Sequence, residues 1–99
     1  MLKKYIIERD IKGVGAMGPK DLGGAASTSN RALSEIDGIQ WQMSYVTANK
    51  TFCVYFAENE GLIRKHAELS GFPANKITEV TGVIDPSTEQ QCPIVTSKQ

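Results

Sequence analysis

The sequence predicts an α+β fold from three observations. Two β-rich runs, residues 40–47 and 50–57, flank the turn Thr47-Ala48-Asn49-Lys50 and read as a hairpin. A helical pattern lies on each side of that hairpin, and a strand-like run lies beyond each helix. The resulting order is β-α-β-β-α-β. Hairpin pairing and right-handed crossovers turn that order into a four-stranded antiparallel sheet, 4-1-3-2, with both helices on one face. This is the ferredoxin-like βαββαβ plait.

Residues 3–9, rich in Tyr and Ile, read as the first strand. The glycine-rich run Gly13-Val14-Gly15-Ala16-Met17-Gly18 follows. Its spacing matches a phosphate cradle, which needs a strand before it, a helix after it and a parallel βαβ array around it. That array is missing, so the run reads as a flexible connector. Pro19 suits the first turn of a helix, and Asp21 suits its positive end. Leu22, Ala25, Ala26, Ser29, Leu33 and Ile36 fall on one face, and Asp37-Gly38 ends the helix. Gly23 and Gly24 each cost this helix about 1 kcal/mol relative to alanine, so tertiary contacts must hold it.

Pairing Val46 with Thr51 puts Trp41, Met43 and Tyr45 on one hairpin face with Phe52, Val54 and Phe56. Gln40, Gln42, Ser44, Cys53 and Tyr55 take the other. The greasy face is predicted to meet the helices. The more polar face is predicted to stay open and to pair with a second copy of the chain. The second helix spans residues 59–70, with Leu62, Ile63, His66, Ala67 and Ser70 facing inward and Leu69 at the edge. Glu60 and Arg64 form an i,i+4 pair. Gly71 stops the helix, Pro73 prevents its resumption, and residues 77–84 read as the last strand. Residues 1–86 make the domain, and residues 87–99 are expected to be a mobile tail.

Eleven basic residues balance eleven acidic ones, so charge offers no case for nucleic acid or an anionic membrane. No run approaches the ~20 apolar residues of a membrane span. The apolar start is too short for a secretory leader, and a cytoplasmic location is expected. Cys53 and Cys92 lack Cys-x-x-Cys spacing and read as free thiols.

No nucleophile elbow, zinc-protease helix or Walker motif occurs, so no catalytic residue and no organic cofactor is predicted. His66 is the one histidine. It reads either as a metal ligand or proton carrier, or as a silent residue at the core edge. A metal site built on it must recruit carboxylates, water or a second chain. Glu8 and Glu79 are the candidate carboxylates, because both sit in predicted strands among apolar residues; the alternative is simple pairing with Lys4, Arg9 or Lys76. Tyr45, Trp41 and Tyr5 could line a small-molecule pocket between sheet and helices, with His66 at its rim. Cys53 has no basic neighbour in sequence that would make its thiol reactive.

Several runs carry a resemblance: Tyr5-Ile6-Ile7-Glu8-Arg9, Ser44-Tyr45-Val46-Thr47, Ile63-Arg64-Lys65-His66-Ala67, Ser70-Gly71-Phe72-Pro73-Ala74-Asn75 and Val83-Ile84-Asp85-Pro86. Over about residues 3–86 the chain resembles a family of small bacterial ferredoxin-like proteins of unknown function. One member of that family is described as a nickel-binding, nickel-responsive dimer. The resemblance implies a homodimer and a nickel-type divalent ion. His66 and Glu79 lie in matching pieces and are carried as candidate ligands. The first functional reading is therefore a homodimeric metal-binding protein. A small dimeric enzyme or ligand-binding module is the second, and a dimerisation domain without a site is the third.

Overall fold

The computed structural model describes residues 1–91. Its elements are β1 (Lys3–Asp10), α1 (Pro19–Leu33), β2 (Ile39–Val46), β3 (Lys50–Ala57), α2 (Glu60–Ser70) and β4 (Lys76–Val80). One 3₁₀ turn, Val14–Ala16, precedes α1, and another, Pro86–Gln91, follows β4. The sheet order is β2-β3-β1-β4 and every pairing is antiparallel, as the βαββαβ order requires. Residues 87–91 of the predicted tail belong to that second 3₁₀ turn, and Cys92 and the residues after it lie outside the described residues.

The core lies between the helices and one sheet face. Tyr5 and Ile7 of β1 and Cys53, Tyr55 and Ala57 of β3 point into it, where they meet Ile36, Ile39 and Ile63. This reverses the predicted faces of β3 and of β2 from Met43 onward. The Val46–Thr51 pairing holds, but a β-bulge between Trp41 and Met43 makes Gln42 a supernumerary residue. Beyond it Trp41 pairs with Tyr55 rather than Phe56, so Trp41 joins the helix side. Phe52, Val54 and Phe56 take the open side with Met43 and Tyr45. The plait survives the reversal because topology follows element order, whereas facing depends on which side of the sheet the helices land.

Two element ends also differ from prediction. α1 stops at Leu33, and residues 34–38 form the turn that returns the chain to the sheet; Ile36 reaches the core from that turn. β4 ends at Val80, which pairs with Lys4 near the start of β1. Val83 and Ile84 are left 69% and 85% exposed. The boundaries of α2 are clear: Asn59 Oδ1 accepts from the Leu62 amide at the start, and Gly71 adopts φ +81° at the end.

The glycine-rich connector is tethered rather than free. The Ile11 amide donates to the Asn49 carbonyl, the Gly13 amide to Asn49 Oδ1, and the Gly15 amide to the Ala48 carbonyl. Gly15 is pressed so close to the hairpin turn that a Cβ there would stand 2.6 Å from the Thr47 carbonyl oxygen. The connector thus buries Val14 and closes one end of the space beneath α1.

Candidate functional site

α1 presents Leu22, Ala25, Ala26 and Ser29 toward the sheet. Three of these side chains are short, and the bulky residues opposite them do not fill the gap. A cavity of about 190 Å³ results. Its sheet wall includes Trp41, Ser44, Cys53 and Tyr55. The bulge is what lets Trp41 and Ser44, three residues apart, face the same side. Trp41 Nε1 donates to Ser44 Oγ at 3.0 Å, and the Trp41 ring stacks on Tyr55 with centroids 6.4 Å apart. Both ends of the indole are therefore fixed in the wall.

Arg9 also lines the cavity. It follows Tyr5 and Ile7 in the inward phase of β1 and is 2% exposed. Nη1 donates to the Pro73 carbonyl at 2.8 Å, while Nη2 is buried with no partner. The guanidinium carbon lies 5.9 Å from the Tyr55 ring centre and 6.0 Å from that of Phe72. Among the described residues, ion pairs involve Lys50 and Arg64, and none involves Arg9. A buried cation with aromatic neighbours and no counter-ion carries a desolvation cost that its single carbonyl contact only partly offsets.

Behind the wall, Ser29 joins the two helices to the sheet. Its Oγ lies 3.1 Å from His66 Nε2 and 3.4 Å from the Tyr55 hydroxyl. His66 is fully buried, and its Nδ1 has no partner. Burial, and then the nearby Arg9 charge, hold the imidazole below its ordinary pKa, so it is neutral at pH 7. A buried acceptor without a partner is better tolerated than a buried N–H without one. The proton is thus assigned to Nε2, which donates to Ser29, and Ser29 donates to Tyr55. Burial pushes the Tyr55 phenol up, partly countered by Ser29 and Arg9, so it too is neutral.

The predicted ligands do not converge. Glu8 faces the open side opposite Phe52 and reaches Lys50 Nζ at 3.4 Å. Glu79 pairs with Tyr5 across β1 and β4, and its side chain is exposed at the sheet edge. Among the described residues no three His, Cys, Asp or Glu side chains gather to hold a metal ion. The donors around His66 fit nickel poorly: one imidazole, two hydroxyls and a neighbouring guanidinium, with no carboxylate to balance a divalent charge. Of the predicted pocket residues, Trp41 lines the cavity. Tyr45 lies on the opposite face, 58% exposed, and Tyr5 is packed in the core away from the cavity lining.

Arg9, Ser29 and Tyr55 escaped the sequence reading as site residues. One signal was available for Arg9: it continues the Tyr5, Ile7 alternation, so a charge stands where the strand should be apolar. Tyr55 was hidden by the reversed faces. Ser29 was visible only as a member of the apolar helix stripe.

Residues 5–80 match the model of a family described as "Nickel responsive protein SCO4226-like". The fold resembles the crystal structure of SCO4226 from Streptomyces coelicolor A3(2), with a TM-score of 0.67 and 15% identity over 82% of this chain and 99% of that one. At that identity the likeness concerns the fold. No curated protein matches the chain.

Proposed function

This chain belongs to the SCO4226-like family, and on that premise we propose that it is a homodimeric binding protein holding a small, mostly apolar molecule between α1 and the sheet. The observation that carries this reading is the 190 Å³ cavity walled by Trp41, Tyr55 and the short side chains of α1. An apolar cavity of about 150 Å³ is enough to hold benzene, so this one suits a single ring with a short substituent. The family is described as nickel responsive. The buried, unpartnered Nδ1 of His66 is the one feature favouring an ion here, and the adjacent Arg9 charge opposes it.

The open sheet face supports the dimer. Val54 lies on it between half-buried Phe52 and Phe56, across from Ile6, with Met43 and Tyr45 exposed beside them. An isologous dimer covers such a face with the same patch of a second copy.

Trp41 is the chain's one tryptophan, so its fluorescence reports on the cavity directly. Titration with toluene, benzyl alcohol and benzoate is expected to shift the emission with at least one of them. Ala26→Leu, which fills the cavity, is expected to abolish the shift while circular dichroism stays unchanged. No shift with any of the three sinks the binding reading.

A further inference from the structure

We infer that the cavity selects a small organic carboxylate, a single apolar ring or branched chain bearing one negative charge, and that Arg9 recognises the charge. The inference rests on the binding reading above and adds the chemical class of the ligand. Three observations carry it. Arg9 is 2% exposed and borders the cavity, and its Nη2 donor has no partner. No described ion pair supplies a carboxylate for it. The neighbouring polar group, the Tyr55 hydroxyl, already accepts from Ser29 in the assigned network, which leaves its own proton free to donate.

Beside the guanidinium the cavity therefore offers donors to a ligand and no carboxylate of its own. Carboxylate oxygens accept from guanidinium and phenol alike, and a charge-assisted bond to guanidinium is about twice as strong as a neutral one. One buried cation answers one negative charge, which favours a monocarboxylate over a phosphate dianion. The remaining wall, Trp41, Val14 and Leu22, suits an apolar body. Nη2 itself has almost no surface open to water, and Phe72, in the segment between α2 and β4, stands beside the guanidinium. Engagement of the carboxylate therefore needs a small displacement of the Phe72 ring.

The experiment compares ligands on the full chain by Trp41 fluorescence and by calorimetry. Benzoate is expected to bind at least tenfold more tightly than benzyl alcohol, which has a similar ring and no charge. Inorganic phosphate is expected to bind at least tenfold more weakly than benzoate. Arg9→Met is expected to erase the benzoate preference while keeping benzyl alcohol binding, and Tyr55→Phe is expected to weaken benzoate several-fold. Equal binding of benzoate and benzyl alcohol by the unaltered protein overturns the carboxylate assignment and leaves the cavity reading standing. Phosphate binding as tight as benzoate overturns it too, as a plain anion site. Failure of every ring compound overturns both readings. Since the unaltered protein decides these comparisons, an Arg9→Met chain that does not fold leaves the test intact.

Discussion

Ser29 and His66 are joined by a 3.1 Å hydrogen bond that ties α1 to α2 inside the core. The imidazole is kept neutral there by burial and by the Arg9 charge, with Tyr55 and Ser29 as its other polar neighbours. Its folded pKa therefore lies below the 6.5 of an unperturbed histidine. Below pH 6.5 the unfolded chain takes up a proton that the folded chain refuses. Stability from this group is thus complete above 6.5 and is lost as pH falls toward the folded value, by at most about 1.4 kcal/mol per pH unit. Urea melts at pH 7.5 and 5.5 are expected to show the drop, and His66→Gln should flatten the difference between them.

Ser29→Ala removes the atom shared by His66 and Tyr55. Two buried polar groups then lose their partner at once, and a loss of about 1–3 kcal/mol is expected. Chemical denaturation measures it. A loss within experimental error would show that the hydroxyl is not the joint between the helices.

Gly15 and Gly24 should respond in opposite directions to the same substitution. A Cβ at Gly15 meets Thr47 and Ala48 backbone at 2.6 and 2.7 Å, so Gly15→Ala must push the connector off the hairpin turn. The expected cost is about 1–3 kcal/mol, with faster amide exchange at residues 13 and 15. Gly24 lies within α1 and has open space around it, so Gly24→Ala is expected to stabilise by about 0.5–1 kcal/mol. Thermal melts of the two variants settle the contrast.

Phe52→Lys places a charge on the open sheet face, beside Val54 and Tyr45. Light scattering behind size exclusion is expected to find a dimer for the unaltered chain and a monomer for the variant. An unaltered chain that runs as a monomer at micromolar concentration would count against the dimer.

Nickel titration of metal-free protein, followed by calorimetry, tests the donor argument around His66. Whatever affinity the unaltered chain shows, His66→Ala is expected to leave it unchanged. A tenfold loss in that variant would place the ion at the imidazole and overturn the electrostatic objection from Arg9.

The element order, the hairpin register near its turn and the α2 cap were all legible in the sequence, because each depends on local chemistry. Asn59, Gly71 and the Thr47–Lys50 turn carry their own instructions. Trp41 faces the helices as expected, but its separation from Phe52, Val54 and Phe56 was not legible, since one extra residue in β2 inverts everything before it and leaves no compositional mark. The cavity was illegible for a different reason. Ala25 and Ala26 are compatible with a helix lying tight against the sheet or standing off it, and only the three-dimensional spacing chooses. The divergence of Glu8 and Glu79 could have been anticipated: register sets Glu79 beside inward Tyr5, whereas Glu8 follows inward Ile7 and so must point outward.

The supernumerary Gln42 makes the facing of Trp41 a matter of where the extra residue is absorbed. Loss of that single codon would restore strict alternation and leave the indole where it is, because Trp41 would then adjoin outward Met43 and still stand opposite Tyr55. A ladder regularised with Gln42 retained would instead set Trp41 opposite Phe56 and turn the indole to the open face.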